Sequence, residues 1–325
     1  MLFYSLLKPV NDESFTSWIT RCELKLSPRR FSSKKINANY RSNLHSFPSL
    51  DPDFSVETLA STTVSDTLMV NPQTMLHFFR PLSTWIIPHG NFQNACIDCL
   101  MSSLKKQRCY VFLKSWRYVA RPICPIHRCL LNQLPCRHYE SLRTFPDKHI
   151  STNRCTLDSQ QIKKFVLLAL KIQRQICRLE NDNGGQKIIA AYRFLMELFM
   201  SAGECRGLAC FLFSKPTPER GELRHSGARM LMLLGAFSSS PFERMCALIL
   251  TGYVIGFFSQ RENHIFEVIA KERCLLYQCN TFEIGKFSNI FPEKEFPSIL
   301  RRLERLRPVF SSQRFEDFVK GFKSV

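Results

Sequence analysis

The chain has 325 residues and a formal net charge of +18, with 45 Lys and Arg against 27 Asp and Glu. Hydrophobic residues make up 45% of it, enough for two or three compact units, each with a buried core. With only 12 Gly but 28 Phe, the composition disfavours glycine-rich sandwiches and Rossmann-type phosphate loops, and favours helix; the charge points to a polyanion, nucleic acid or a ribonucleoprotein.

Met1 to Lys8 is too short for a signal peptide and runs into Pro9, Asp12 and Glu13 without a small-residue cleavage site. A reducing, cytoplasmic compartment is therefore expected, and the 14 Cys read as metal ligands or core thiols rather than disulfides. Residues 11 to 31 predict two short helices. Asp12 can cap the first, with Phe15, Trp18, Ile19 and Cys22 on its apolar side, and Ser27-Pro28 opens the second. Residues 34 to 54 read as irregular. From 55 to 80 a further pair is expected: Ser55 caps one helix through Val56, Leu59 and Ala60, and Asn71-Pro72 restarts another through Met75, Leu76, Phe78 and Phe79. That is the outline of a helix-turn-helix, and equally of a plain helical hairpin.

Between 91 and 140 Cys, His and basic residues concentrate and regular amphipathicity fades, which marks a small separate module. Helical periodicity returns near 158. Phe165, Leu168, Ala169, Ile172 and Ile176 form one stripe; Ile188, Tyr192, Leu195, Met196 and Phe199 form a second, with Asn183-Gly184-Gly185 between them. Further helices are expected over 221–237, 242–258 and 296–310, the last burying Phe296, Ile299, Leu300, Leu303 and Leu306. The longest apolar run, Met245 to Phe258, has 14 residues, fewer than the roughly 20 of a membrane span, and reads as a core helix. The expected architecture is mainly α: a helix-turn-helix-like part over 1–90, a zinc module over 91–157 and a helical domain over 158–325. Cys22, Cys177, Cys205, Cys210 and Cys246 fall inside apolar helical patterns and are expected in the core.

Cys96-Ile-Asp-Cys99 is followed, after 24 residues, by Cys124-Pro-Ile-His127. Zinc takes four such ligands in a tetrahedron, and two ligands three apart reach the ion from one tight knuckle, leaving the intervening residues as a loop or hairpin. The predicted metal ligands are Cys96, Cys99, Cys124 and His127, a closed structural set that holds together a segment too small for its own core. Cys129, Cys136, His138 and Cys155 are spaced irregularly and show no second paired knuckle, so one zinc site is expected rather than two.

Seven basic residues and no acid lie between Met101 and Arg128: Lys105, Lys106, Arg108, Lys114, Arg117, Arg121 and Arg128. Tyr110, Phe112, Trp116 and Tyr118 interleave with them. These cations could grip phosphates, or be solvated while the aromatics pack the module. Arg301, Arg302, Arg305, Arg307 and Arg314 form a second basic stretch that reads as a solvated helix face, and Arg29, Arg30, Lys34 and Lys35 a third, earlier cluster. No catalytic pattern emerges. His138-Tyr-Glu140 lacks the downstream Pro-Cys-x-x-Cys of the zinc deaminases, and there is neither a His-Glu-x-x-His motif nor a Gly-x-x-x-x-Gly-Lys phosphate loop.

The run from Cys96 to Cys136 resembles the zinc-finger segment of the TniQ/TnsD family of transposon target-selection proteins. That pattern shows a Cys-x-x-Cys knuckle, a Trp-Arg in the intervening segment, then Cys-Pro-x-His, a Leu-Leu pair and another Cys. Here these are Cys96 and Cys99, Trp116-Arg117, Cys124-Pro125-Ile126-His127, Leu130-Leu131 and Cys136. Pro9, Asp12-Glu13-Ser14-Phe15, Trp18 and Arg21 are similar to the family's opening. The resemblance covers about the first 140 residues. Cys136-Arg137-His138 stands where many relatives carry a second Cys-x-x-Cys. The resemblance implies a non-catalytic adaptor in bacterial DNA transposition that recruits the AAA+ ATPase TnsC to target DNA. Phe15, Trp18 and Arg21 would mark the ATPase-facing surface. A short chain with one complete finger is similar to the members that ride on an RNA-guided Cascade complex and its guide RNA, in some cases as a homodimer. Longer, TnsD-like members read duplex DNA directly, and a transcription-factor-like role would use the same features.

Overall fold

The computed structural model of the chain describes residues 6–26, 53–55, 70–88, 93–134, 157–182, 184–202, 207–211, 227–273 and 279–324. It is mainly helical, with twelve α-helices and four short strands among those residues. The chain divides into two compact units. One comprises Met1–Tyr118 with Leu131–Ser151, the other Val119–Leu130 with Thr152–Val325.

In the first unit, α1 (Phe15–Lys25) starts at Ser14, whose hydroxyl accepts from the Ser17 amide. Asp12, the expected cap, does something else. It takes a left-handed φ of 62° and accepts the Ser115 amide at 3.2 Å, while its carbonyl accepts the Lys114 amide at 2.8 Å. The second helix of the Pro28 region lies outside the described residues. So does the helix expected after Ser55, which leaves the helix-turn-helix outline with its second member only. That member is α2 (Pro72–Phe79), capped by Asn71 with Pro72 at its first position. Phe79 packs its ring edge-on against Phe15 at 5.4 Å and tilted against Trp18 at 5.1 Å, with Ile19, Cys22, Val70 and Met75 completing the core. Two short antiparallel strands, β1 (Gln93–Ala95) and, later in the chain, β4 (Asn132–Leu134), bracket α3 (Ile97–Gln107) and a 3-10 turn at Lys114–Arg117.

The core of this unit contains an ion pair. Arg21 donates through Nε and Nη2 to the two carboxylate oxygens of Glu13 at 2.9 and 2.7 Å, and through Nη2 to the Lys8 carbonyl. Glu13 also accepts the Val10 amide and the Ser17 hydroxyl. Both side chains are almost wholly buried, so only this dense bonding offsets their desolvation.

The second unit opens with β2 (Ile123–Cys124) and β3 (Cys129–Leu130), paired as a hairpin. Then α4 (Ser159–Glu180) begins at a capping box of Asp158 and Gln161 and buries the whole predicted stripe from Phe165 to Ile176. Of the second stripe, on α5 (Gln186–Met200), only Ile188 stays partly exposed. After α6 (Leu208–Phe211) and α7 (Ala228–Ser238) comes α8 (Pro241–Val254), opened by a Ser240–Glu243 capping box and buried along its length. This is the apolar run expected as a core helix; among the described residues no helix is long and apolar enough to cross a membrane. Four helices follow: α9 (Gln260–Arg273), α10 (Thr281–Ser288), α11 (Phe296–Glu304) and α12 (Gln313–Lys323). α9, α10 and α12 are not among the helices expected from sequence, although Phe315, Phe318, Val319 and Phe322 of α12 recur at helical spacing and are buried; α11 buries Ile299 and Leu303 of the five residues expected, ends at Glu304 rather than 310, and leaves Phe296, Leu300 and Leu306 half-buried. α10 and α12 cross at backbone contact. A Cβ on Gly285 would strike the Phe318 carbonyl, and one on Gly321 the Phe282 carbonyl.

Arg21→Leu is expected to leave Glu13 buried and uncompensated, lowering unfolding stability in denaturant titration by about 3–5 kcal/mol; a loss under 1 kcal/mol would contradict the assigned role. Burial pushes the Cys22 thiol from its ordinary 9.0 up to about 11. The thiolate is thus disfavoured in the folded state, so stability should fall as pH rises from about 9 towards 11. Cys22→Ala should flatten that alkaline slope in thermal unfolding.

Candidate metal centre

Ligand atoms of Cys96, Cys99, Cys124 and His127 all lie within 4.8 Å of one another. None of the described cysteines is in a disulfide. A tetrahedral ion with metal–sulfur bonds of about 2.3 Å and metal–nitrogen bonds of about 2.0 Å puts adjacent ligand atoms roughly 3.5–3.8 Å apart. His127 Nδ1 stands 3.7 Å from Cys124 Sγ, at that edge length. Three thiols and one imidazole converging this way can hold a metal ion.

The two pairs are presented differently. Cys124 ends β2, and the chain turns through Pro125 and Ile126 to His127. The Arg128 amide bonds back to the Cys124 carbonyl at 2.9 Å, and Arg128 takes φ 50°, the left-handed conformation that closes the knuckle. The His127 amide points at Cys124 Sγ from 3.5 Å, which ties the two ligands of the knuckle together. Cys96 and Cys99 instead straddle a helix start: Cys96 is the N-cap of α3 and Cys99 lies in its first turn. The segment after Cys99 is therefore helical rather than the loop or hairpin expected. Asp98 in the first turn and Lys105 and Lys106 in the last match the helix dipole, a signal present in the sequence.

Burial is graded across the set, from buried Cys96 and Cys124 through half-buried Cys99 to exposed His127. Cys129, opposite Cys124 in the hairpin, forms a second grouping with Cys96 and Asp98 within the same 4.8 Å. Cys136, His138 and Cys155 lie outside the described residues, as do Cys205 and the early Arg29–Lys35 cluster.

Gln173, on the buried face of α4, was not singled out by sequence. Its Oε1 accepts the Ile123 amide at 3.1 Å and its Nε2 donates to the Ile123 carbonyl at 2.8 Å. A side-chain amide thus replaces a neighbouring strand and fixes the backbone next to Cys124. Arg121 pairs with Glu180, at the end of α4, at 2.5 Å. The one sequence trace of this clamp is a glutamine on an otherwise apolar helix face.

The seven cations expected to grip phosphates fall into two groups. Lys105, Lys106, Arg108 and Arg128 are exposed. Lys114 is buried and caps the carbonyl end of α2, donating to Phe78 and Arg80 at 2.9 and 3.1 Å, and burial pulls its pKa down. Arg117 is buried too, donating to the Ile87 carbonyl, facing Asp53 and lying over the Phe54 ring. Arg121 is held by Glu180. These last three are engaged within the fold and are not open to phosphate; the other four remain accessible to solvent. Phe15, Trp18 and Arg21 are likewise interior, at 2%, 0% and 3% exposure, and the surface role expected of them is not open to them. The C-terminal arginines are partly engaged, with Arg302 over Phe194 and Arg314 over Tyr253.

Compared with family models, with curated proteins and with solved structures, the chain matches none.

Cys124→Ser is expected to abolish stoichiometric metal in the purified protein, read by elemental analysis; full retention would rule out this ligand set. Gln173→Leu leaves two buried Ile123 backbone groups without partners, at about 1–3 kcal/mol each. It should speed metal loss to a chelator while leaving the four ligands intact, and an unchanged rate would show that the clamp does not steady the knuckle.

Proposed function

We propose that the chain is a zinc-stapled, non-catalytic adaptor for DNA transposition of the TniQ/TnsD kind. In this role it links an RNA-guided Cascade complex to the AAA+ regulator TnsC at target DNA. The observation that carries this is the convergence of Cys96-x-x-Cys99 and Cys124-Pro-x-His127 on one point, with Trp116-Arg117 built into the intervening core. Three thiolates and one neutral imidazole in a tetrahedral set suit zinc over harder ions. All four positions come from the protein, so the ion is structural and has no open site for water.

A second observation supports the same assignment. The N-terminal Asp12-Glu13-Ser14 run bonds directly to residues 112–115. The Ser14 amide donates to the Phe112 carbonyl, the Phe112 amide donates to the Ser17 hydroxyl, and Glu13 bridges to Leu113. The opening that resembles the family is thus bonded to residues 112–115, the part of the finger-like stretch that lies with it in the first unit.

In this role base pairing supplies sequence choice, and the protein needs only partner surfaces and unspecific phosphate contacts. The alternative is a TnsD-like or transcription-factor-like protein that reads one duplex site unaided. Selection of the purified protein on a random duplex library at physiological salt separates the two. The adaptor should retain DNA weakly, salt-sensitively and without an enriched motif. Enrichment of one motif would overturn the Cascade-linked role in favour of direct reading.

A further inference from the structure

The longest helix, α4, has an outer face the apolar stripe does not use. At 100° per residue, Lys163, Leu167, Lys171, Arg174 and Arg178 fall within an arc of about 100°, with Lys164 at its edge. All six are exposed. No acid occurs between Ser159 and Leu179. Among the described residues, Lys171 is the one cation of this face held by a carboxylate, bonding Glu262 at 2.8 Å beside the Phe257 ring. The nearby Glu180 and Glu272 are engaged elsewhere, by Arg121 and Gln161.

We infer that this face, through Lys163, Lys164, Arg174 and Arg178, is a docking surface for the phosphate backbone of duplex DNA. From Lys163 to Arg178 it runs about 22 Å along the helix axis. One strand of B-DNA carries about six phosphates over that length, so charge densities are comparable. α4 itself brings no aromatic side chain to the face: Phe165 points into the core, and the neighbouring Phe257 ring lies under Lys171. Single-strand binders stack bases on aromatics, so this surface fits a duplex, gripped without reading its sequence. Three of the cations expected in the 101–128 stretch are consumed by the fold, whereas this row is not. The inference deepens the proposed function, in which target DNA is a partner, and rests on it.

The test uses the full-length protein and a labelled random-sequence duplex, titrated between about 50 and 200 mM salt. K163Q/K164Q/R174Q/R178Q should lower the slope of log K against log salt by about 3–4, near 0.9 per lost contact, and weaken binding at least about tenfold at the low-salt end. Gln matches Lys and Arg in helix propensity, so the thermal midpoint should hold. Should the quadruple variant misfold, K163Q/R178Q should still lower the slope by about 2. A charge-matched variant elsewhere, K286Q/K294Q/R301Q/R305Q, all exposed, should leave the slope unchanged. Equal losses in both sets would overturn the docking surface, because net charge alone would then be acting. An unchanged slope in the α4 variant, or tighter binding of a single strand than of the duplex, would also overturn it. Each of these leaves the adaptor function standing. Wild-type protein that binds no duplex at all would end the docking surface but not the metal centre, which elemental analysis tests separately.

Discussion

Glu13 and Arg21 are buried together at about 1% and 3% exposure, in a chain that carries far more cations than anions. Their pairing sets the geometry of the first unit. Glu13 collects donors from Val10, Ser17 and Arg21, which fixes the chain just before α1. That placement lays Asp12 and Ser14 against residues 112–115, and the segment between the two ligand pairs is anchored there by backbone bonds. A buried pair of this kind adds little net stability over apolar residues. Its physical contribution is specificity, because any other arrangement strands a charge.

The same constraint sorts the remaining cations. A buried Lys or Arg is tolerated only where oxygens converge on it. Lys114 finds the carbonyl end of α2, Arg117 finds Ile87 and Asp53, and Arg121 finds Glu180. Each is thereby withdrawn from the surface. On α4 the apolar face is complete without help from its basic residues, so Lys163, Lys164, Arg174 and Arg178 stay outside. Net charge therefore overstates what the Met101–Arg128 stretch can offer a polyanion, and hides what α4 offers.

The metal cluster combines two economies of local structure. At Cys96 and Cys99 a helix start supplies the spacing. At Cys124 and His127 a hairpin turn does, closed by left-handed Arg128 and held from behind by Gln173. Neither pair needs a large core, and both belong to stretches with little apolar periodicity.

The sequence by itself determined what depends on neighbours along the chain. Ligands three apart, the apolar stripes of α4, α5 and α8, the Asn71-Pro72 helix start and the buried Met245–Val254 run are all local patterns, and each appears where its spacing put it, whereas α11 keeps only Ile299 and Leu303 of its expected stripe buried. Only the tertiary structure decided what depends on partners distant in sequence. Ser14 rather than Asp12 caps α1 because Asp12 is taken by residues 114 and 115. Phe15, Trp18 and Arg21 are interior because Phe79 and Glu13 meet them there. Gln173 matters because Ile123 lies against it. A basic or aromatic side chain looks the same in sequence whether it faces water or a ring of carbonyls; the desolvation that separates the two cases exists only once the chain has folded.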